Sequence, residues 1–244
     1  IPFLPSPGHT NKLLFLKEGH LWEFNKVSQK IQIIKKHEQA GIGRFLDMTL
    51  FRDGFVWIGG EDGAARFLNV NDSIGTINQW SEYPLPADLG IHNIEHLFES
   101  FDGGFISKAD YLNSKNNVLA GFIGEKWKIL YKSAAEDIYA GWQGLDNSLW
   151  ILKGDVLKQN DPLRNWNLYH LRRGKEEMIG KNRVLNRELN GIITRPDGSF
   201  LIATGSGLAS FSPLLWRKQS TDINLNRRYK NMLEDASGRL WFSC

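Results

Sequence analysis

The chain of 244 residues has little cysteine and little charge of one sign. Its single cysteine, Cys244, has no partner within the chain for a disulfide or for a cysteine-based zinc site. The 30 basic and 27 acidic residues leave a net charge of +3, which is too small to predict binding to nucleic acid or to an anionic membrane surface. No apolar run approaches the length of a membrane span, so we expect no direct membrane insertion of this segment.

Motifs of common catalytic and cofactor sites are also missing. There is no Gly-Lys-Ser/Thr phosphate loop and no Gly-x-Ser-x-Gly nucleophile elbow. The Gly-x-Gly strings at 41–43 and 205–207 lack the third glycine and the following helix of a dinucleotide site. We therefore predict no cofactor and no catalytic residue.

The string HNIEH at 92–96 matches the pattern of an inverted zinc protease motif. That motif requires a helix, which brings residues four apart onto one face. Here the surrounding pattern predicts a strand, in which four residues span about 13 Å. Two imidazoles at that separation cannot share one ion, so we predict no metal site in this string, and we predict none elsewhere in the chain.

Glycine and tryptophan are plentiful, with 24 and 9 residues, and they recur in one arrangement. Its clearest example is RDGFVWIGGEDGAARFL at 52–68, where Asp-Gly predicts a tight turn and an apolar run with a central tryptophan predicts a strand. A second glycine-rich turn and a third strand follow. This is the pattern of a β-hairpin that continues into a sheet.

The same pattern recurs along the chain at intervals of 40 to 51 residues. The repeated anchor position, three residues beyond the turn, is occupied by Trp57, Ile106, Trp150, Leu201 and Trp241. Each anchor follows a predicted strand, and in several units two further strands follow it. A period of this length with four strands per unit is typical of propeller blades.

We therefore predict an all-β fold, a β-propeller of four-stranded antiparallel blades with about five blades' worth of repeats. The predicted boundaries are an irregular lead-in at 1–12 and a propeller domain at 13–244, with blades at about 13–40, 44–85, 92–131, 137–171 and 187–219 and a partial blade at 228–244. On this assignment the first blade lacks its first strand and the last lacks two. Joining the ends gives one strand too many for five blades, so we expect a piece of a larger propeller.

The most charged connection between predicted blades is Arg172 to Leu189. We expect a solvated excursion there, with room for a short helix around Met178 and Asn182. A rim element that contacts a partner or an anionic ligand is the alternative.

Tryptophans can form binding platforms as well as cores. Six of them occupy recurring positions and are predicted to pack between blades: Trp57, Trp80, Trp127, Trp150, Trp166 and Trp241. Trp142 departs from the repeat and lies in a strand predicted to line the central channel. We therefore include Trp142 among the candidate ligand-binding residues.

Propellers commonly bind ligands at one face, formed by the loops that enter each first strand and the loops that join the second and third strands. Acidic, basic and aromatic residues at these positions suit a small polar ligand or an oligosaccharide. With Trp142, the candidate ligand-binding residues are Tyr111, Lys108, Asp110, Glu61, Asp62, Arg44, His92, Arg187 and Arg227. Lys153, Ser206 and Asp137 occupy equivalent loop positions.

The Asp-Gly turn, the Leu-Trp-Ile-Gly-like strand, the later Gly-x-x-Arg-Phe and a trailing Trp and Tyr resemble the two-component regulator propeller repeat. The best matches are 53–67, 197–211 and 234–242. The resemblance implies a periplasmic or extracytoplasmic sensor domain of a bacterial hybrid two-component system. It further implies that the ligand is a carbohydrate and that the partner is a neighbouring propeller or signalling domain of the same parent chain, and it is compatible with a homodimer.

We therefore expect a non-enzymatic, ligand-sensing module. The first alternative is a propeller-fold polysaccharide lyase or hydrolase, for which Tyr111, Arg44 and His92 would supply the base, the acid and the charge stabiliser. The second alternative is a protein-interaction scaffold, which requires a contiguous exposed apolar patch.

Overall fold

A computed structural model of the chain describes residues 2–6, 11–68, 78–112, 114, 116–133, 136–155, 166–179, 189–205, 207–212, 215–218, 231–234 and 240–243. The regular structure of these residues is β-strand apart from two short 3-10 turns, His37–Gln39 and Ala87–Leu89. In this part of the chain, no helix has the length and apolar character of a membrane span. The chain divides into two compact units, Ile1–Ala134 and Ala135–Cys244.

The N-terminal unit contains three four-stranded antiparallel sheets, in which each strand pairs with the next along the chain. The first sheet consists of β1 (Phe3–Pro5), β2 (Lys12–Lys17), β3 (His20–Asn25) and β4 (Lys30–Lys35). The second consists of β5 (Phe45–Leu50), β6 (Val56–Gly60), β7 (Gly63–Leu68) and β8 (Asn78–Pro84). The third consists of β9 (Ile91–Ser100), β10 (Gly104–Tyr111), β11 (Asn117–Ile123) and β12 (Lys126–Lys132).

The C-terminal unit contains two further sheets of the same kind and a two-stranded sheet. The fourth sheet consists of β13 (Glu136–Gln143), β14 (Leu149–Asp155), β15 (Trp166–Arg172) and β16 (Lys175–Ile179). The fifth consists of β17 (Leu189–Thr194), β18 (Phe200–Thr204), β19 (Gly207–Ser212) and β20 (Leu215–Lys218). The last sheet pairs β21 (Asn231–Glu234) with β22 (Leu240–Ser243).

The predicted fold class is confirmed, because the chain is all-β and forms five four-stranded antiparallel blades of a propeller fold. All five anchor residues lie in the second strand of their sheet. The boundary of the first blade differs from the prediction. Residues 3–5 form β1, so the first blade has four strands and the lead-in is not wholly irregular. That the chain belongs to a larger propeller stays a prediction.

The fourth blade also differs from the prediction. Trp166–Arg172 pairs with β14 as the third strand, and the fourth strand is β16, Lys175–Ile179. The predicted excursion at Arg172–Leu189 is therefore partly a strand, and Met178 lies in that strand rather than in a helix. The reason is that β16 is a polar, exposed strand, so the sequence has no apolar alternation there to reveal it. Residues 180–188 lie outside the described residues.

The aspartates of the repeat turns have a shared structural role. Each accepts a hydrogen bond from the backbone N–H two residues later, across a residue with left-handed backbone geometry. The three cases are Asp53 to Phe55 at 3.0 Å, Asp146 to Ser148 at 3.3 Å and Asp197 to Ser199 at 2.9 Å, with φ values of 85° at Gly54, 58° at Asn147 and 77° at Gly198. This geometry explains why Asp-Gly and Asp-Asn recur at this point of the repeat.

We expect Asp197→Ala to lower the free energy of unfolding by about 1 kcal/mol, because Asp197 also accepts the Ser199 hydroxyl at 2.6 Å. The hydrogen bonds from Ser199 lower the pKa of Asp197 below its usual value. The contribution is therefore complete above the unfolded-state pKa of about 4 and is lost as the pH falls through the lower folded-state pKa. Urea unfolding at several pH values checks this, and a difference from the wild type that persists unchanged in acid would contradict it.

The core between the second and third sheets is aromatic. Trp57 lies 5.3 Å from Tyr83 and 5.1 Å from Phe105, measured between ring centroids, and Trp127 packs edge-on against Phe105 at 5.4 Å. These contacts agree with the predicted packing role of the recurring tryptophans. Trp241 is the exception, with 56% of its surface exposed, because it lies in the two-stranded β21–β22 sheet.

Candidate ligand-binding site

Polar residues collect at one edge of the sheets of the N-terminal unit. In an antiparallel four-stranded sheet, the turn between the second and third strands lies at the same end of the strands as the connection into the first strand. We use the word edge for this end of the strands. This edge carries the turn between β6 and β7 and the entries into β5 and β9. We call the following residues the polar rim: Arg44, Glu61, Asp62, His92, Asn93, Glu95, Lys108, Asp110 and Tyr111.

Backbone hydrogen bonds join neighbouring segments of the rim. The N–H of Glu61 donates to the Arg44 carbonyl at 3.1 Å, and the N–H of Asp62 donates to the Ile42 carbonyl at 2.9 Å. The N–H of Asn93 then donates to the Glu61 carbonyl at 2.9 Å. The backbone of the β6–β7 turn is therefore fixed on both sides before any ligand binds.

A pair of glycines allows the close approach beneath this turn. A Cβ atom on Gly60 would lie 2.3 Å from the Ile42 carbonyl oxygen, and one on Gly59 would lie 2.1 Å from the Ile94 carbonyl oxygen. Neither position tolerates a side chain without movement of the backbone. Gly59 therefore determines how closely the second sheet approaches β9, and Gly60 how closely β6 approaches the segment that leads into β5.

Arg44 and Glu61 form the first polar group of the rim. The backbone N–H of Arg44 donates to Glu61 Oε2 at 3.2 Å, and the guanidinium lies 3.9 Å from Glu61 Oε1. Both side chains are substantially exposed, so the ion pair itself contributes little stability. Its effect is to present a cation and a carboxylate together at the surface.

Asp110 is the centre of the second polar group. Its Oδ2 accepts a hydrogen bond from Asn93 Nδ2 at 3.1 Å, and its Oδ1 lies 3.6 Å from Lys108 Nζ. The Lys108 ammonium also contacts Glu95 Oε2 at 3.1 Å. His92 faces Asp110 in the β9–β10 pairing, and Tyr111 follows at the end of β10, with Lys132 Nζ 5.7 Å from its ring centroid.

Asn93 and Glu95 were not predicted from the sequence, because β9 is not a regular strand. Its buried residues, Ile91, Ile94, Leu97 and Ser100, are three apart instead of two. Asn93 and His96 have left-handed φ values of 57° and 54°, and the β9–β10 register shifts near each of them. Two β-bulges therefore redirect the polar residues of HNIEH. An asparagine inside a strand pattern is the one sequence signal for such a bulge.

The predicted strand at HNIEH is confirmed, since these five residues lie within β9. Among the described residues, the group of three potential metal ligands lies elsewhere, at His20, His37 and Glu38.

Of the ten candidate residues, seven lie in the polar rim. Arg187 and Arg227 lie outside the described residues. Trp142 must be corrected: it is only 2% exposed and packs edge-on against Phe200, with ring centroids 4.8 Å apart. It departs from the repeat because it fills the core between the fourth and fifth sheets, so its surface is not accessible to a ligand.

Lys153 is not a rim residue either. It is 5% exposed, and its ammonium lies 2.6 Å from Glu136 Oε2 and 2.6 Å from Glu176 Oε1. The same ammonium lies 4.1 Å from the ring centroid of Tyr169, whose hydroxyl donates to Glu136 at 3.2 Å. Burial raises the pKa of Tyr169, and Glu136 raises it further. Lys153 is therefore a buried ammonium that contacts two partly exposed carboxylates in the fourth sheet.

No protein-family model and no curated protein matches the sequence. Solved structures do match the fold. The virginiamycin B lyase of Staphylococcus aureus is 16% identical, with a TM-score of 0.59 over 99% of this chain and 76% of that chain. A protein assigned as a gluconolactonase is 12% identical, with a TM-score of 0.61 over 99% of this chain and 84% of that chain.

The structural neighbours also include an extracellular domain of a two-component system. The extracellular domain of BT4673 from B. thetaiotaomicron, assigned as a hybrid two-component system, is 12% identical. Its TM-score is 0.49 over 96% of this chain and 37% of that chain. A likeness at this level does not extend to function.

The comparisons correct one expectation. A non-enzymatic module was expected, but the neighbours of the same fold include virginiamycin B lyase. Since propellers of this shape occur in enzymes, the fold does not determine whether this chain is one.

Proposed function

We propose that this chain is an extracytoplasmic ligand-sensing propeller module that binds a neutral carbohydrate fragment at the polar rim. Binding would be passed to a signalling domain of the same parent chain. The observation that carries the proposal is the Asp110 group, in which one carboxylate receives both Asn93 and Lys108 beside the fixed β6–β7 turn. The extracytoplasmic location and the signalling output follow from the resemblance of the repeats.

The pairing of charges favours a neutral ligand. The Arg44 guanidinium faces Glu61, and the Lys108 ammonium faces both Glu95 and Asp110. An anionic sugar would have to compete with these carboxylates for the two cations. Sugar hydroxyls can instead donate to the carboxylates and accept from the Asn93 amide, as each hydroxyl is both a donor and an acceptor. Tyr111, which is partly buried against the core of the N-terminal unit, lies at the end of the same strand as Asp110.

The backbone connections suggest how binding could become a signal. The β6–β7 turn is bonded to the entry into β5 on one side and to β9 on the other. A ligand that contacts both Glu61 and Asp110 would bridge the second and third sheets. It would favour the conformation in which these sheets are closest, which is a population shift.

Asp110→Asn tests this function. The substitution preserves the size of the side chain and removes the charge that Lys108 and Asn93 share. We expect it to weaken binding of a neutral oligosaccharide at least tenfold, because a hydrogen bond to a charged group contributes about 1.5–3 kcal/mol. Isothermal titration calorimetry with gluco-, manno-, xylo- and arabino-oligosaccharides measures the effect.

The matched control is Glu125→Gln, which makes the same kind of change in the β11–β12 turn, at the other edge of the third sheet. It should leave binding unchanged. If no neutral oligosaccharide binds, or if both variants bind as tightly as the wild type, the rim is not a carbohydrate site. Oligouronates belong in the same titration, and preferential binding of an oligouronate would overturn the argument from charge pairing.

A further inference from the structure

A second polar cluster lies in the first sheet and is independent of the proposed ligand site. His20, His37 and Glu38 each offer a ligand atom, and these atoms all lie within 4.8 Å of one another. His20 Nδ1 is 3.8 Å from Glu38 Oε2, and His37 Nε2 is 3.6 Å from Glu38 Oε1. The carboxylate therefore lies within reach of both imidazoles.

The fold places these residues together although 17 positions separate the histidines. His20 is the first residue of β3, and His37 begins the 3-10 turn just after β4. The start of β3 and the end of β4 meet at one edge of the sheet, where Leu21 pairs with Lys35. The cluster is thus fixed by the same strand pairing that builds the blade.

The donor set is suited to a borderline divalent cation. Two imidazoles and one carboxylate are a common ligand set for Zn²⁺, with metal–ligand distances of about 2.0–2.2 Å. At such distances the ligand atoms of a tetrahedral ion are about 3.4 Å apart. The separations from the Glu38 oxygens to His20 and His37 exceed that value by only a few tenths of an ångström. Oxygen-preferring ions such as Mg²⁺ do not favour this set.

Side-chain exposure matches what binding would require. The imidazole rings are stacked, with centroids 4.8 Å apart and planes 14° from parallel. Because a metal lies in the plane of each ring that binds it, one ring must rotate. The side chain of His20 is 17% exposed, that of His37 25% and that of Glu38 61%, so His20 is the fixed member and Glu38 is free to adjust.

One existing hydrogen bond would be exchanged. His20 Nδ1 accepts the backbone N–H of His37 at 3.3 Å, which is a long hydrogen bond. Its net contribution is about 1 kcal/mol, which is small beside a metal–imidazole bond. The ammonium of the neighbouring Lys35 lies over the Trp80 ring, 4.9 Å from its centroid, in a cation–π contact.

We propose that His20, His37 and Glu38 form a Zn²⁺-binding site with an open fourth position for water. The site lies at the same edge of the first sheet as the entry into β5, where the Phe45 N–H donates to the Gly19 carbonyl at 3.1 Å. A bound ion would tie the β2–β3 turn to the connection that leads to Arg44. The inference does not depend on the carbohydrate proposal.

Zinc titration of the tag-free, chelator-treated full chain tests the proposal. Because the thiol of Cys244 is a competing ligand, the experiment uses a Cys244→Ser background. We expect one Zn²⁺ per chain by calorimetry and no binding of Mg²⁺. Loss of a residue that only hydrogen-bonds to a metal ligand typically weakens binding by about 10- to 100-fold. His37→Asn removes a ligand itself and should therefore weaken Zn²⁺ binding by more than this. The double variant His20→Asn/His37→Asn should abolish binding.

Two further variants keep the result interpretable. Glu38→Gln changes an exposed side chain, so it should fold normally, bind Zn²⁺ more weakly and show a smaller zinc-dependent increase in Tm than the one we expect for the wild type. His96→Asn removes a histidine of HNIEH at a left-handed position that suits asparagine, and it should leave zinc affinity unchanged. The proposal is overturned if the wild type binds Zn²⁺ no better than the double variant, or if His96→Asn is the variant that loses binding.

Discussion

Gly59→Ala is expected to destabilise the N-terminal unit by about 3 kcal/mol or more. This is the upper end of the range that overpacking typically causes. The added Cβ would lie 2.1 Å from the carbonyl oxygen of Ile94 and 3.0 Å from its carbonyl carbon. The obstacle is backbone rather than the end of a flexible side chain, so relief requires the second sheet to move away from β9. That movement would also loosen the aromatic core around Trp57.

Urea unfolding followed by tryptophan fluorescence measures this effect, and Gly54→Asn is the matched control. No atom lies within 4 Å of the position of a Cβ on Gly54, which has a φ of 85°. The equivalent turn position in the fourth blade is Asn147, with a φ of 58°, so asparagine suits this backbone geometry. The control should cost less than about 1 kcal/mol. Equal losses in the two variants would show that turn geometry, rather than close approach, requires the glycines.

Lys153→Met is expected to lower the free energy of unfolding by about 1.5–3 kcal/mol, the usual contribution of hydrogen bonds to charged groups, because Glu136 and Glu176 are 32% and 29% exposed and keep part of their hydration. The methionine fills a similar volume, but Glu136 and Glu176 lose the ammonium that each contacts at 2.6 Å. The Tyr169 ring also loses its cation–π contact. Chemical denaturation of the full chain measures the loss.

Two comparisons identify its cause. Lys175→Met makes the same substitution at an exposed position of β16 in the same sheet and should change stability by no more than about 0.5 kcal/mol. Adding Glu136→Gln and Glu176→Gln to Lys153→Met removes the uncompensated charges and should restore part of the lost stability. A triple variant no more stable than Lys153→Met would show that lost packing, and not charge, explains the effect.

The polar rim illustrates how far a sequence can locate a site. The repeat alignment predicted that Arg44, Glu61 and Asp62 share an edge, because chain order alone places certain loops of an antiparallel blade at one edge. The structure shows Arg44 and Glu61 in contact. It adds Asn93, which alternation along β9 could not reveal, because two bulges shift the residues that face Asp110. The ligand-binding role of the rim remains a proposal.

Trp142 and Lys153 are predicted at ligand-accessible positions but are buried. Trp142 was predicted to face a ligand because no other unit has a tryptophan there, yet it fills a gap beside Phe200. The repeat predicts Lys153 in the loop between the second and third strands, yet its side chain is buried and contacts two glutamates. In both cases the deciding partner lies on another strand, so the local sequence carried no signal for it.

Apart from β1 and β16, the sequence by itself determined the strands, their turns and the blade as the repeating unit, because these depend on interactions between residues close in the chain. Asp197 and Ser199 form their turn two residues apart, and Gly198 between them supplies the left-handed geometry that this turn requires. Only the tertiary structure decided that Gly59 contacts the backbone of β9, that Lys153 is buried and that His20 meets His37. Those features depend on which strands and sheets pack together and at what distance. Packing brings residues that are far apart in the chain into contact, and their positions in the sequence do not predict that contact.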